Sequence, residues 1–165
     1  MIRPITPTDL RDIITIYNHY IENTTVSFEE EPISPESMQE RVNKVLDADL
    51  PWLVFEENGM VIGYAYAGLW NTRSAYRFTV ETSVYLSPES VGKGLGKQLY
   101  SHLLKILKEK GIRNVLGVIA QPNPASVGFH ESFGFRKMGE FSEVGLKFGR
   151  WISVGYWQLK MGDDL

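Results

Sequence analysis

The stretch from residue 77 to residue 120 constrains the fold of this chain more than any other part of it. It predicts a strand over residues 77–87, a glycine-rich turn, a long helix that carries leucines on one face and ends at Gly111, and a second strand over residues 113–120. A helix that connects two neighbouring strands of one sheet places them in parallel. The sequence therefore predicts one parallel pair of strands.

The parts of the chain on either side of this unit predict more helices and antiparallel strands. Asn58-Gly59 is typical of a type I′ hairpin turn, so its flanking strands are expected to pair antiparallel. The expected elements are a strand at Ile2–Arg3, helices over residues 7–22 and 35–46, strands over residues 52–57 and 60–70, a helix over residues 123–133, and strands near residues 135–142 and 150–160. This order predicts a single α/β domain over residues 1–165, built on a mixed sheet.

Composition narrows the chemistry before any motif is considered. The chain has 165 residues and no cysteine, which excludes disulfides, thiolate metal sites and a cysteine nucleophile. Its net charge of −3 argues against nucleic acid as a partner. The N-terminus lacks the apolar core of a signal peptide, and no apolar run reaches the roughly 20 residues of a membrane span. We therefore expect a cytoplasmic protein with no metal and no membrane partner.

The glycine-rich turn, residues 90–100 (SVGKGLGKQLY), is the clearest chemical signal. Gly92, Gly94 and Gly96 follow a strand and begin a helix, where backbone N–H groups and the helix dipole favour an anion. The spacing fits neither the P-loop nor the Rossmann fingerprint. Gly94 and Gly96 fit the pyrophosphate loop of acyl-CoA enzymes, [QR]-x-x-G-x-[GA], although Val91 stands at its first position. A glycine-rich helix start without a ligand is the alternative.

Glu81 is the first candidate for acid–base chemistry. Alternation along residues 77–87 puts it on the face opposite the apolar side chains, in the middle of a strand that is expected to be central. An ionised carboxylate there must be paired or hydrated. Glu81 is therefore either a general base at a cleft or one half of a salt bridge with Arg77 or Arg73.

His130 is the second candidate. It shares one side of its short helix with Val127 and Phe133, which is typical of a core histidine. Asn123 is explained as the N-cap of this helix. His130 gains a chemical role only if the helix lines the same cleft as the glycine-rich turn.

Five sequence blocks, taken in order, resemble the GNAT acetyltransferase superfamily, and more narrowly its phosphinothricin and methionine sulfoximine N-acetyltransferases. The blocks are residues 25–32 (TVSFEEEP), residues 64–89 (YAYAGLWNTRSAYRFTVETSVYLSPE), the glycine-rich turn, residues 123–135 (NPASVGFHESFGF) and residues 145–159 (GLKFGRWISVGYWQL). The resemblance implies a mostly antiparallel sheet with a splayed central parallel pair, flanked by about four helices. It also implies homodimers in which loops of one subunit close the pocket of the other.

The resemblance implies roles for individual residues. Glu81 is the expected base, and His130 stands where many superfamily members carry a tyrosine that protonates the departing thiolate. The expected co-substrate is acetyl-CoA, held by the backbone of Val84, Tyr85 and Leu86, by the amides of Gly92, Lys93, Gly94, Leu95, Gly96 and Lys97, and by Asn123 and Ser126. The expected substrate pocket is lined by Phe28, Asn71, Thr72, Arg73, Tyr76, Thr82 and Ser83.

Two departures from the family pattern stand out. Val91 removes a polar side chain beside the phosphates, so weaker CoA binding is expected. Ile152-Ser153 replaces an expected Leu/His-Asp pair.

The function implied is transfer of an acetyl group to the α-amine of a small glutamate-like amino-acid analogue. Glu81 would accept the ammonium proton, a backbone N–H of residues 84–86 would stabilise the oxyanion, and Arg73, or else Arg77, would pair with the substrate's anionic group. Without cysteine, the acetyl group should pass directly from CoA sulfur to the amine. The alternatives are acetylation of peptide N-termini or polyamines, and a non-catalytic acyl-CoA-binding module.

Overall fold

A computed structural model describes residues 1–162 of the chain. Its strands and helices are β1 (Ile2–Pro4), α1 (Leu10–Asn23), α2 (Pro35–Asp47), β2 (Trp52–Glu57), β3 (Met60–Leu69), β4 (Thr79–Leu86), α3 (Leu95–Glu109), β5 (Asn114–Ala120), α4 (Pro124–Ser132), β6 (Arg136–Lys147) and β7 (Arg150–Lys160). Short 3₁₀ turns lie at Pro7–Asp9, Ser74–Tyr76 and Pro88–Ser90.

The seven strands form one sheet in the order β1-β2-β3-β4-β5-β7-β6. All neighbouring strands are antiparallel except β4 and β5, which α3 connects as a crossover helix. The predicted α/β class with a mixed sheet, one parallel pair and four helices is thus confirmed. The largest boundary difference is at the end of β6, which continues to Lys147 instead of ending near residue 142, and the predicted first helix begins as a 3₁₀ turn at Pro7–Asp9 before α1 starts at Leu10. An irregularity in the β6–β7 pairing between Phe141 and Gly145 interrupts the alternation there, which hides the continuation in the sequence.

The parallel pair separates in the middle of the sheet. Pairing between β4 and β5 ends at Glu81 and Leu116. Beyond that point β4 follows β3 as far as Leu86, whereas β5 follows β7 as far as Ala120. The two strands therefore diverge and leave a wedge between them, as the resemblance implied.

Helices cover the two faces of the sheet with different side chains. On one face, α3 contributes fully buried leucines such as Leu99 and Leu103 to the core. On the other face, α1 and α2 contribute Ile13 and Met38 and pack over a row of aromatic rings that includes Trp52. We call this second face, which carries Trp52, Tyr64 and Tyr66, the aromatic side of the sheet. Within residues 1–162, no helix combines the length and apolarity that crossing a membrane requires.

Candidate active site

The wedge between β4 and β5 exposes unpaired backbone groups. The N–H of Ser87 donates to the Ile62 carbonyl of β3 (2.8 Å), and this register turns the backbone groups of alternate β4 residues toward β3. The backbone of Tyr85 therefore pairs with β3, whereas the N–H and C=O of Val84 face the wedge. Val84 thus offers a donor and an acceptor to an extended ligand.

A cleft of about 610 Å³ lies on the aromatic side of the wedge. Its lining comes from α1, the loop that follows α1, the three central strands and the β6–β7 hairpin. The residues that line it are Tyr17, Val26, Ser27, Phe28, Glu29, Tyr66, Glu81, Thr82, Ser83, Tyr85, Val118, Ala120, Val144, Val154 and Tyr156. Carboxylates, hydroxyls and aromatic rings supply its polar character, and among residues 1–162 no lysine, arginine or histidine lines it.

Glu81 lies in this cleft at the point where the strands separate. Its side chain reaches solvent through the cleft, yet the surrounding walls remove enough water to raise the pKa of its carboxyl above the ordinary value. Among residues 1–162, no group donates a hydrogen bond to the Glu81 carboxylate, and no cation forms an ion pair with it. The salt bridge with Arg77 or Arg73 that the sequence left open is therefore absent from this part of the chain. A carboxylate with a raised pKa in a cleft has the properties of a general base.

The second carboxylate of the cleft, Glu29, forms an ion pair with an arginine. Glu29 accepts hydrogen bonds from both terminal nitrogens of Arg41 (2.9 Å and 2.5 Å) and one from the hydroxyl of Tyr17. The guanidinium of Arg41 holds the pKa of Glu29 below its ordinary value. Glu29 is thus ionised and satisfied, which leaves Glu81 as the carboxylate that is free to accept a proton.

A groove of about 200 Å³ lies beside the cleft along the same strand. Its lining residues are Tyr20, Val84, Leu86, Val91, Gly96, Ala125, Ser126 and Phe129. The hydroxyl of Tyr20 donates to the Leu86 carbonyl (2.6 Å), so α1 covers the far end of the exposed strand edge. Since residues 82, 83 and 85 line the cleft while residues 84 and 86 line the groove, the two spaces share β4 as a common wall.

The glycine-rich turn lies at one end of this groove. Gly92 and Gly94 have φ angles of 83° and 77°, which side chains rarely allow, and Gly94 precedes α3 without any side-chain cap. The first N–H groups of α3 are therefore available to an anion. Gly96 lines the groove, and a Cβ there would make only an ordinary contact, at 3.4 Å, with the Leu86 side chain. A groove along an exposed strand edge, with an anion site beside it, fits the arm and pyrophosphate of an acyl-CoA.

The structure brings many of the predicted site residues together. The cleft contains Phe28, Glu81, Thr82, Ser83 and Tyr85, and the groove contains Val84, Leu86, Gly96 and Ser126. The exposed turn carries Gly92, Lys93, Gly94 and Lys97, with Leu95 half-buried beside them. Asn123 caps α4 by accepting a hydrogen bond from the Ser126 N–H (3.1 Å).

Four predicted substrate residues lie outside the cleft of their own chain. Asn71, Thr72, Arg73 and Tyr76 belong to the loop between β3 and β4, and none of them lines either space. The Asn71 side chain accepts a hydrogen bond from the Arg73 N–H (2.9 Å), and the Tyr76 ring packs edge-on against Trp70. This loop is ordered by its own contacts and presents Arg73 to solvent.

His130 lies beneath the site and lines neither space. Only 7% of its surface is exposed, and its ring contacts Tyr100, Phe129 and Phe135 edge-on. Its Nδ1 lies 2.7 Å from the Ser126 carbonyl, a distance at which Nδ1–H donates to that oxygen. Burial lowers the pKa of the imidazole, which favours the neutral ring. In this position His130 supports the helix that lines the groove.

Several lining residues were not predicted from the sequence. Tyr17 belongs to the apolar stripe of α1, where it is indistinguishable from a core residue, yet its hydroxyl reaches the cleft loop. Tyr66 and Tyr156 lie on strands far apart in the chain. The signal that could have found Tyr66 is its alternation with Tyr64, since both lie on the face that carries Glu81.

Comparison with known proteins identifies the family to which this arrangement is similar. Residues 2–154 match the acetyltransferase (GNAT) domain family. The chain is 44% identical over 157 residues to a phosphinothricin N-acetyltransferase of Streptomyces viridochromogenes, covering 95% of this chain and 85% of that protein. It is 36% identical over 154 residues to an L-methionine sulfoximine/L-methionine sulfone acetyltransferase of Pseudomonas aeruginosa, covering 93% of this chain and 90% of that protein.

A solved structure agrees with these sequence relationships. The chain superposes with a TM-score of 0.95 on a GNAT superfamily phosphinothricin acetyltransferase of Sinorhizobium meliloti, which was crystallised in complex with acetyl-CoA. The two are 39% identical, and the match covers 98% of this chain and 88% of the other.

Proposed function

The chain belongs to the GNAT acetyltransferase family, and from this premise we propose that it acetylates the α-amine of a small glutamate-like amino-acid analogue. Phosphinothricin, methionine sulfoximine and methionine sulfone are the substrates that we propose, and acetyl-CoA is the proposed acetyl donor. The observation that carries the proposal is the position of Glu81, an unpaired carboxylate with a raised pKa in the cleft that shares β4 with the acyl-CoA-shaped groove. The names of two relatives support the substrate class.

The mechanism that we propose assigns the chemistry to few residues. Acetyl-CoA, when bound, supplies an activated acetyl thioester. Glu81 accepts a proton from the substrate ammonium, directly or through a water molecule, and so releases the amine for attack. The N–H of Val84 faces the wedge and can donate to the thioester oxygen as negative charge develops there, a contribution of about 3–4 kcal/mol for a well-placed donor. With no cysteine in the chain, we propose direct transfer: the amine forms the C–N bond to the acetyl carbon as the C–S bond breaks, and the second proton that the nitrogen loses passes through solvent to the departing sulfur.

The cleft lacks the cation that an anionic substrate needs. A carboxylate or phosphinate binds tightly only where a guanidinium or ammonium can pair with it. We propose that a second copy of the chain supplies this group through Arg73, with Arg77 as the second choice. Both lie in the exposed loop between β3 and β4, among the exposed aromatic residues Trp70, Tyr76 and Phe78. The homodimer that the family resemblance implied is therefore part of the proposal, as are a cytoplasmic location and a role in herbicide resistance.

The same lack of a cation favours a second candidate substrate. A cleft with carboxylates and aromatic rings also suits a cationic amine such as a polyamine. Acetylation of polyamines or peptide N-termini would keep the chemistry of Glu81 and would not require the second copy.

Thiol release from acetyl-CoA with a panel of amines tests these proposals. The protein contributes no thiol of its own, so the colour of a thiol reagent reports CoA alone. We expect release with phosphinothricin and the methionine derivatives. Release only with polyamines or peptides would overturn the substrate class, and measurable CoA binding without release for any amine would favour a binding module.

A further inference from the structure

Lys147, the last residue of β6, is a buried charge that the proposed reaction does not use. Only 2% of its surface is exposed. Its Nζ donates to the Ser27 carbonyl (2.6 Å) and lies 5.0 Å from the centre of the Phe148 ring. Within residues 1–162 no carboxylate lies within ion-pair distance of it. Burial of an ammonium group costs free energy unless the group makes hydrogen bonds. The acceptor that Lys147 binds is therefore the key to its role.

The partner is the segment that forms one wall of the cleft, residues 26–29. Besides the bond from Lys147, the Ser27 hydroxyl lies 3.1 Å from the Tyr17 hydroxyl, and Glu29 is held by Arg41. This wall segment is therefore fixed from three elements, namely α1, α2 and β6. The bond from Lys147 spans 120 positions of the sequence and ties the segment to β6, the strand whose Val144 also lines the cleft.

Phe28 is the residue that this arrangement positions. It lines the cleft, and its ring lies against the backbone of Gly145, two residues before Lys147. A Cβ at Gly145 would overlap the Phe28 ring. The end of β6 thus supplies both a donor that holds the backbone of the segment and a space that accepts the Phe28 ring.

We propose that Lys147 and Gly145 position the wall segment at residues 26–29, and through Phe28 determine the affinity for the amine substrate. The inference rests on the proposed function insofar as the cleft holds the amine. Lys147 is a positioning residue, since its ammonium group is directed at a backbone carbonyl and does not line the cleft. It differs from a general stabiliser because its loss should affect the amine and leave acetyl-CoA unaffected.

The first test compares Lys147→Met with Lys137→Met. Lys137 lies on the same strand and also faces an aromatic ring, that of Trp157, but it is exposed and bound to Glu140. We expect Lys147→Met to raise the KM for the amine about tenfold, with kcat and the KM for acetyl-CoA within about twofold of the unchanged protein. Gly145→Ala, which displaces the Phe28 ring without touching the charge, should change the same parameter. Lys137→Met should change none of them.

The second test restores the charge chemically. Because the chain has no other cysteine, Lys147→Cys can be alkylated at a single position in the unfolded state and then refolded. Bromoethylamine gives a side chain of the same length as lysine that ends in an ammonium group, whereas bromopropane gives the uncharged equivalent. We expect the aminoethylated protein to recover the KM of the unchanged protein for the amine and the propylated protein to resemble Lys147→Met.

Hydrogen exchange of residues 24–31 gives a readout that does not need catalysis. We expect their amides to exchange faster in Lys147→Met than in Lys137→Met. Faster exchange in a protein that acetylates no amine would separate failure of the proposed function from failure of this inference. Unchanged exchange, or equal rises in the KM values of both substrates, would overturn the positioning role. Equal recovery with the charged and the uncharged alkyl groups would show that length alone matters, and would overturn the role of the ammonium group.

Discussion

Two carboxyl groups, one beside the edge strand β1 and one in the central strand β4, lie in contrasting surroundings. Asp9, after β1, is 4% exposed and accepts hydrogen bonds from two nitrogens of Arg3 (both 2.8 Å) and from the Thr6 N–H (2.7 Å). The hydrogen bonds from Arg3 are the main reason that the pKa of Asp9 lies below its ordinary value. Glu81, in the cleft, has no such donor among the described residues, and burial raises its pKa.

The two groups contribute to different properties of the protein, Asp9 to its stability and Glu81 to its proposed chemistry. The charge of Asp9 is satisfied, so it stabilises the folded chain in the pH range where it is ionised. The charge of Glu81 is partly desolvated and unpaired, so ionisation in the folded state costs free energy that a substrate ammonium can offset. Substitutions at the two positions should therefore have opposite consequences.

The largest effect is expected for Glu81→Gln. Loss of the general base should lower kcat/KM for the amine at neutral pH by about a hundredfold or more. The melting temperature at neutral pH should stay equal or rise, because an unpaired and partly desolvated charge is removed. Thiol-release kinetics and thermal unfolding measure the two effects, with the exposed Glu57→Gln as control. An unchanged rate at both neutral and high pH would show that Glu81 is not the base.

Asp9→Asn should reverse this outcome. It leaves Arg3 without its bidentate partner in a half-buried position, so the free energy of unfolding should fall by about 2–3 kcal/mol, while kcat/KM of the folded protein is preserved. Urea unfolding at neutral pH measures the loss. The control is Asp49→Asn, which removes an exposed ion pair with Lys110 and should cost about 0.5 kcal/mol or less. Equal losses of unfolding free energy in both variants would show that the buried, hydrogen-bonded Asp9 stabilises the chain no more than the exposed Asp49 does.

Lowering the pH should protonate Glu81 before Asp9, so activity and stability should be lost at different pH values in the same protein. A lowered pKa means that the stabilisation from Asp9 is complete above the pKa that this group has in the unfolded chain, and is lost as the pH falls through its lower folded pKa. A raised pKa means that Glu81 becomes protonated at higher pH than an ordinary glutamate. On acidification, kcat/KM should thus fall first, with a midpoint above 4.5, while circular dichroism still reports a folded chain. The acid limb should be absent from the residual activity of Glu81→Gln.

The parts of the fold that the sequence predicted are those with local signals. The hairpin at Asn58-Gly59 was predicted because this residue pair is typical of a type I′ turn, and the structure confirms positive φ at both residues, 51° and 78°. The crossover over β4, α3 and β5 was predicted because a strand period of two changes to a helix period and back. The end of β6 was not predicted, because its pairing with β7 is irregular beyond Phe141 and no local pattern records that.

The site was predicted where one strand and one turn carry it, as with Glu81 and the glycines. It was not predicted where side chains meet only through tertiary packing. The contact between Lys147 and Ser27 joins positions 120 residues apart, and Tyr17 looks like an ordinary core residue of α1. The placement of Arg73 outside its own cleft is equally invisible in the sequence, where only the family resemblance assigned this residue to the substrate pocket.

The smallest effect is expected for a third titratable group, His130. As an acid for the departing thiolate it would need a proton that can reach the groove, but burial favours the neutral ring and its Nδ1–H is already bound to the Ser126 carbonyl. His130→Asn, which can keep that bond, should therefore lower kcat/KM by less than about tenfold, far from the loss expected for Glu81→Gln. It should also cost about 1–2 kcal/mol of stability through lost aromatic contacts. The control is His102→Asn, whose Nδ1 lies 3.1 Å from a carbonyl one turn earlier on the exposed face of α3. A loss of a hundredfold or more for His130→Asn alone would make this buried imidazole a catalytic acid. In that case a group would not need to lie unpaired in the cleft, as Glu81 does, in order to take part in the reaction.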